Sequence, residues 1–144
     1  MTDGQSPDFG AIDDRYRPQA DEPYMNPRQL EYFRLKLLDW REALVRDSET
    51  TVEQLKQGEW REPDPNDRAS HESDSTVELR TRERYRKLIS KIDQALVRIE
   101  RGEYGYCEDT GEPIGVGRLE ARPIATLSIA AQERHERNER MRGD

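Results

Sequence analysis

Apolar side chains recur at alternating intervals of three and four residues in two long segments of the chain. The first seam consists of Leu30, Phe33, Leu37, Trp40 and Leu44. The second seam consists of Tyr85, Leu88, Ile92, Ala95 and Ile99. Such spacing is typical of helices that bury one narrow stripe against a partner helix. The pattern therefore predicts a mainly α fold with a long antiparallel coiled-coil hairpin over residues 26–101.

Capping residues indicate where the first helix begins and ends. Asn26 is a favourable N-cap, and Pro27 suits the first helical position because its missing N–H is not needed there. Gly58 is a suitable stop. A helix between these points has about 30 residues and is about 45 Å long, at about 1.5 Å per residue.

The link between the helices is "GEWREPDPND", which begins at Gly58. Its two prolines push the residues before them toward extended geometry, so the helix cannot continue. We expect the second helix to start at about Arg68, capped by Asp67, and to end at Gly102. The tip of the hairpin then falls at 58–69, where both seams become polar.

Three further regions flank the predicted hairpin. Residues 1–25 are polar and predict an N-terminal arm that is partly extended. Residues 102–131 are rich in glycine and predict a small turn-rich globular knob. A last helix is expected to start near Pro123, and residues 132–144, "QERHERNERMRGD", predict a charged C-terminal helix or tail.

Composition narrows the class of protein. The 144 residues are 32% hydrophobic and 38% charged, as long helices with a narrow apolar stripe would be. The net charge of −7 argues against direct DNA binding. A lone cysteine rules out an internal disulfide, and no secretory signal or membrane-spanning run of about 18 apolar residues is present. We expect a soluble, cytoplasmic monomer.

The charges are unevenly distributed along the second helix and the link before it. Residues 58–78 hold seven acids and two arginines, whereas residues 80–91 hold six basic residues and one acid. These charges fit a solvated helix face with i,i+4 ion pairs. They equally fit a basic surface that meets an acidic protein or a phosphorylated ligand.

The stretch "YGYCEDTG" at 104–111 resembles the opening of a zinc knuckle, and "ATLSIAA" at 125–131 lies where the closing pair would fall. With C-x2-C spacing, the four ligand positions are Cys107, Thr110, Ser128 and Ala131. Three of them lack a good zinc ligand, so we expect neither zinc nor another cofactor. Cys107 is then either a small buried hydrophobic residue or a reactive thiol.

Several ordered blocks of sequence resemble the TraR/DksA family over about residues 22–135. The blocks are "YMNPRQLEYF" (24–33), "DPNDRA" (64–69), "RYRKLISKIDQAL" (84–96) and "GEYGYCEDTGEPIGVGRLEARP" (102–123). The usual family member has four cysteines in the last region, so this chain resembles the cysteine-poor versions that lack the zinc-binding cysteines. Its fold would then be the hairpin, a zinc-finger-like knob without zinc and a C-terminal helix.

The resemblance implies a transcription factor that binds RNA polymerase. Family members insert the coiled coil into the secondary channel of the polymerase. They modulate open-complex stability at ribosomal RNA and other stringent-response promoters, together with guanosine tetraphosphate (ppGpp). The expected partners are thus RNA polymerase and ppGpp.

The resemblance also assigns roles to individual residues. Those expected at the hairpin tip, near the polymerase active site, are Asp64, Asp67 and Ala69. Arg84 would contact the polymerase. The positions expected to contact ppGpp are Lys91, Arg122 and Gln132, the last only weakly because it is uncharged.

Without a metal, the knob must be held together by packing, and by docking on the base of the coiled coil near Leu30, Phe33, Ile92 and Ile99. The apolar residues expected to do this are Tyr104, Tyr106, Ile114, Leu119, Ile124, Leu127 and Ile129.

Two other functions compete with the regulator. Heptads alone fit a coiled-coil scaffold or adaptor without a polymerase role. An enzyme is disfavoured, because Asp64 and Asp67 are too few for a catalytic site and no nucleophile–base pair is evident. The Asp-x-x-Asp-x-Ala motif between the helices favours the regulator, since a scaffold has no need of it.

Overall fold

The computed structural model describes residues 12–58 and 65–142, without the side chains of 51, 52, 54–58 and 65–75. Four helices make up most of this part of the chain: α1 (Pro27–Gly58), α2 (Pro65–Arg101), α3 (Val116–Ala121) and α4 (Ile129–Arg142). Within these ranges there is no β-strand, and the one isolated β-bridge joins Tyr106 to Pro113. The fold is mainly α, as predicted.

The start of α1 confirms the capping prediction. The Asn26 side chain accepts a hydrogen bond from the Gln29 N–H at 2.9 Å, and the Asn26 carbonyl accepts one from the Leu30 N–H at 3.0 Å. Pro27 is the first helical residue. The buried Gln29 side chain accepts a further bond from the Met25 N–H at 2.8 Å, so the chain entering the helix is also fixed.

The starts of α2 and α4 differ from the expected positions. Helix α2 begins at Pro65, so Asp67 lies inside the helix rather than at its cap; proline is favourable in a first turn, where its missing N–H costs nothing. Helix α4 begins at Ile129 and not near Pro123, because Ser128 provides the cap: its Oγ accepts the Ala131 N–H at 3.2 Å. The short helix α3 was not predicted.

The chain divides into two compact units, and both long helices contribute to each. The core unit holds the described parts of 1–37 and 94–144. The hairpin unit holds the described parts of 38–93. In the hairpin unit Leu44 and Ile92 are buried, and Arg41 of α1 pairs with Asp93 of α2 at 2.7 Å. The two long helices therefore pack directly on each other in this unit.

Aromatic and aliphatic side chains fill the core unit. Phe33 and Tyr104 are almost completely buried, and their ring centroids lie 5.7 Å apart. The Tyr104 hydroxyl donates to the Pro123 carbonyl at 2.7 Å. The other buried apolar residues of this unit are Met25, Leu37, Ala95, Ile99, Cys107, Ile114, Leu119, Ile124, Ala125 and Ala131. The predicted docking of Tyr104 against Phe33 is thus confirmed.

Two residues expected to pack in the knob are instead exposed. Tyr106 is 38% exposed and Ile129 is 57% exposed. Tyr106 lies in the bridge to Pro113, which turns its ring outward toward Tyr24. Ile129 is the first residue of α4, and Ala131 rather than Ile129 enters the core from that helix.

A polar cluster ties α3 to α1 within the core unit. The Glu120 carboxylate accepts hydrogen bonds from the Tyr32 hydroxyl and from Lys36 Nζ, the latter at 2.6 Å. Burial and the bond to Glu120 raise the pKa of Tyr32 to about 12. Burial raises the pKa of Glu120, but the bonds from Lys36 and Tyr32 outweigh it, so the pKa falls below its usual value. Glu120 is therefore held as an ionised anchor.

No helix in the part of the chain that the structure describes is long and apolar enough to cross a membrane.

Candidate functional site

Four basic side chains form a stripe along one face of α2 in the hairpin unit. They are Arg80, Arg84, Lys87 and Lys91, and all four are exposed. Their spacings of four, three and four residues confine them to a sector about 60° wide at about 100° per residue. We call these four residues the basic stripe.

The basic stripe differs from the other cations of the same run in having no ion-pair partner. Arg82 pairs with Glu78 at 2.6 Å, and Arg86 pairs with Glu83. Both lie on the opposite side of the helix from the stripe. Among the described residues no carboxylate pairs with any of the four stripe cations. Intrahelical ion pairs therefore account for Arg82 and Arg86, but they leave the stripe unexplained.

Apolar side chains flank the basic stripe and make a groove of about 640 Å³. Leu79 is 66% exposed and Leu88 is partly buried, and both line this groove with the stripe and with Glu83, the partner of Arg86. A surface that combines fixed positive charge with apolar contacts suits an acidic protein surface, because both charge and apolar area can be matched.

The structure places Arg84 and Lys91, two residues that the family resemblance singled out, together on the basic stripe. Arg80 and Lys87, to which the family resemblance gives no role, lie on the same stripe. Their 4-3-4 spacing was readable from the sequence as a common helix face. What the sequence did not show is that their neighbours Arg82 and Arg86 would be the ones neutralised by ion pairs.

The other expected contact residues lie elsewhere. Arg122 and Gln132 belong to the core unit, where Arg122 is exposed at the end of α3 and Gln132 donates to Glu136 at 3.1 Å. Asp64 lies outside the described residues. Asp67 and Ala69 lie on α2, but their side chains fall outside the description as well.

The four positions of the zinc-knuckle frame do not provide a zinc donor set. Ala131 contributes only a buried methyl group. The Ser128 hydroxyl is occupied by the Ala131 N–H, and the Thr110 hydroxyl accepts the Glu112 N–H at 3.2 Å. Within the described residues no three His, Cys, Asp or Glu side chains come together as a metal-binding group would. Zinc, which needs about four strong ligands, does not fit these residues.

Cys107, the one sulfur in this frame, is buried in an environment that favours its thiolate. Burial raises the pKa of the thiol, but hydrogen bonds from the Ser128 backbone, the Thr110 side chain and backbone, and the Asp109 backbone outweigh it. The pKa falls from 9.0 to about 6. Near neutral pH the sulfur therefore accepts hydrogen bonds as an anion.

Comparison with known families matches two consecutive segments of the chain. The family "DnaK suppressor protein DksA, N-terminal domain" matches residues 29–99. The family "Prokaryotic dksA/traR C4-type zinc finger" matches residues 102–137, although the chain retains only one cysteine there. The two matches cover the helical hairpin and the knuckle region in that order.

Related proteins extend the match over most of the chain. The RNA polymerase-binding transcription factor DksA of Caulobacter vibrioides is 63% identical over 129 residues, covering 90% of this chain and 91% of that protein. The protein of the same name from Escherichia coli K12 is 45% identical over 114 residues, 79% of this chain and 76% of that protein. The solved structure of transcription factor DksA2 from Pseudomonas aeruginosa is 44% identical, with a TM-score of 0.77. That similarity covers 86% of this chain and 94% of the solved one.

Two long packed helices followed by a four-position frame with zinc-finger spacing define a helical-hairpin protein of the zinc-finger-like class. Within that class, the order of the two family matches and the share of the chain that the related proteins cover identify one family. The chain belongs to the DksA/TraR family.

Proposed function

We propose that this protein is a transcription regulator that binds RNA polymerase and acts through its secondary channel. The observation that carries the proposal is the basic stripe, with four exposed cations that lack ion-pair partners among the described residues. Relatives at 63% and 45% identity bear the name RNA polymerase-binding transcription factor, which supports the same partner here. The stripe would meet an acidic surface of the polymerase, with Arg84 as its central contact.

The regulatory step is assigned to the hairpin tip. In this proposal Asp64, Asp67 and Ala69 act near the polymerase active site and alter the stability of open complexes at ribosomal RNA and other stringent-response promoters. Carboxylates next to a metal-centred site change its electrostatics without performing chemistry themselves. Binding and regulation therefore depend on different residues, and the two can be separated experimentally.

Guanosine tetraphosphate is the proposed effector. Its phosphates would be contacted by Lys91 and by Arg122, since cationic side chains form strong charge-assisted bonds with phosphate. At the third position Gln132 offers only a neutral amide, which is already bonded to Glu136. We therefore expect a nucleotide response that is present but weak.

Binding to purified RNA polymerase, followed by transcription from a ribosomal RNA promoter, tests the proposal. Arg84→Ala should weaken polymerase binding about tenfold, because an unpaired interfacial charge is lost. Arg86→Ala is the matched control: it removes a cation two residues away that is paired and faces the other side. Its affinity should stay within about twofold of the wild type, a change worth only about 0.4 kcal/mol.

The tip variants Asp67→Asn and Ala69→Thr complete the experiment. Both should bind polymerase as the wild type does but lose most of the effect on transcription. Equal weakening by Arg84→Ala and Arg86→Ala would remove the basis for the stripe. Failure of the wild type to bind polymerase at all would favour the alternative function, a coiled-coil scaffold or adaptor.

A further inference from the structure

The loop at 105–115 holds Cys107 and Thr110, two of the four positions of the zinc-knuckle frame, and it is closed by hydrogen bonds. We call residues 105–115 the knuckle. Three backbone hydrogen bonds of 2.8 Å cross it: Cys107 N–H to the Glu112 carbonyl, Ile114 N–H to the Gly105 carbonyl, and Gly111 N–H to the Cys107 carbonyl. These bonds close the turn, but the two chain ends at Gly105 and Gly115 need a further connection.

That connection comes from Tyr24, which lies about 80–90 positions earlier in the sequence. The Tyr24 hydroxyl donates to the Gly105 carbonyl at 2.7 Å and accepts the Gly115 N–H at 2.9 Å. One hydroxyl thus joins both ends of the knuckle, in addition to the backbone bond between Ile114 and Gly105. The bridge requires a protonated phenol, and burial raises the pKa of Tyr24 above its usual value, which keeps the proton in place.

The backbone around Tyr24 fits closely against the knuckle. Gly105 has φ of +94°, and a Cβ atom there would lie 2.8 Å from Met25 Sδ. Met25 is buried and itself has a positive φ of 53°, which is uncommon for a residue other than glycine. The Tyr24 ring also meets the Tyr106 ring edge to face, with centroids 5.6 Å apart. These contacts hold the Tyr24 ring in position against the knuckle.

The segment that carries Tyr24 is anchored to α1 along its length. The buried Gln29 side chain donates to the Gln19 carbonyl at 3.3 Å and accepts the Met25 N–H at 2.8 Å. Arg28 lies over the Tyr16 ring, 4.3 Å from its centroid. Residues 12–26 thus follow a defined path from Tyr16 to Tyr24, stabilised by bonds to helix side chains.

We propose that residues 12–26 clasp the knuckle, with the Tyr24 hydroxyl holding its two ends, Gly105 and Gly115, together. The closure of the knuckle then depends on a remote segment of the same chain. Release of this segment would loosen the knuckle while leaving the hairpin unit folded. The clasp is a property of the fold and is independent of polymerase binding.

Amide hydrogen exchange measured by NMR on the full chain tests the clasp. Tyr24→Phe keeps the ring but removes the hydroxyl, so the Gly115 and Ile114 amides should exchange about tenfold faster. Amides of α2 in the hairpin unit should be unchanged. Tyr106→Phe is the control, because no described residue forms a hydrogen bond with the Tyr106 hydroxyl. The amide exchange rates of this variant should match those of the wild type.

A pair of glycine variants provides a second measurement. Gly105 and Gly111 both have positive φ, so alanine is strained at either, but among the described residues only Gly105 has a neighbour within 4 Å of the added Cβ. Gly105→Ala should therefore speed exchange at Gly115 more than Gly111→Ala does. Unchanged exchange in Tyr24→Phe, or a uniform increase at every amide, would overturn the clasp.

Discussion

At the scale of single residues, Cys107 shows how one buried group can make stability depend on pH. Hydrogen bonds lower its pKa from 9.0 to about 6 in the folded chain, whereas the unfolded thiol keeps its ordinary value. A depressed pKa means that the folded state favours the thiolate. Its contribution to stability is therefore fully present above about pH 9 and is lost as the pH falls through about 6.

We predict that the free energy of unfolding rises between pH 6 and 9, and that Cys107→Ser removes most of this rise. The limit set by the pKa difference is about 4 kcal/mol. Urea denaturation of both proteins at several pH values measures the effect. Because the other groups titrate equally in the wild type and in Cys107→Ser, the difference between their free energies of unfolding at each pH gives the contribution of the thiol. A constant difference across this pH range would contradict the prediction.

The positions of residues on a common helix face were predictable from local spacing, whereas contacts between residues far apart in sequence were not. Arg84 and Lys91 were assigned from a motif, and the helical period alone would have added Arg80 and Lys87. Tyr24 carried no signal of its role, because its partners Gly105 and Gly115 lie far away in sequence. Nothing in the local sequence distinguishes a tyrosine that bonds both ends of a loop from one that only packs.

At the scale of elements, helix starts were predictable where the cap and the first turn agreed. Asn26 and Pro27 together left one choice for α1. In the link before α2, Pro65 and Asp67 are both plausible starts, and the sequence offered no means of choosing between them. For α4, Pro123 was the stronger sequence signal, but the Ser128 cap determined the start.

The zinc-knuckle frame at positions 107, 110, 128 and 131 leads to a prediction about metal. We expect the purified protein to contain no stoichiometric zinc and its melting temperature to be unaffected by EDTA, because three of four ligand positions lack a donor suited to zinc. Metal analysis and thermal denaturation with and without chelator measure this directly.

A variant with restored cysteines is the matched control for this test. Thr110→Cys, Ser128→Cys and Ala131→Cys together recreate the four-cysteine spacing with Cys107. That variant should take up one zinc and lose thermal stability when EDTA is added. A wild-type melting temperature that falls with EDTA would contradict the prediction, whatever the variant does.

At the scale of the whole molecule, the net charge repels an anionic ligand, whereas the cations at a binding site attract it. The chain carries −7 overall, so a polyanion such as ppGpp is repelled at long range. Over a Debye length of about 8 Å at physiological salt, however, only nearby charges matter. Under the proposed function, single residues at a phosphate contact should therefore determine the response to ppGpp, and the net charge should have little influence.

Under the proposed function, Gln132 limits the response to ppGpp. Gln132→Lys adds a cation where the amide now lies and should lower the ppGpp concentration for half-maximal effect on transcription about threefold to tenfold. Asn138→Lys is the matched control, since it makes the same charge change on the exposed part of α4. Lys91→Ala should reduce the nucleotide response more than it reduces activity without nucleotide. If Asn138→Lys enhances the response as much as Gln132→Lys, the effect comes from net charge, and Gln132 is not a phosphate contact.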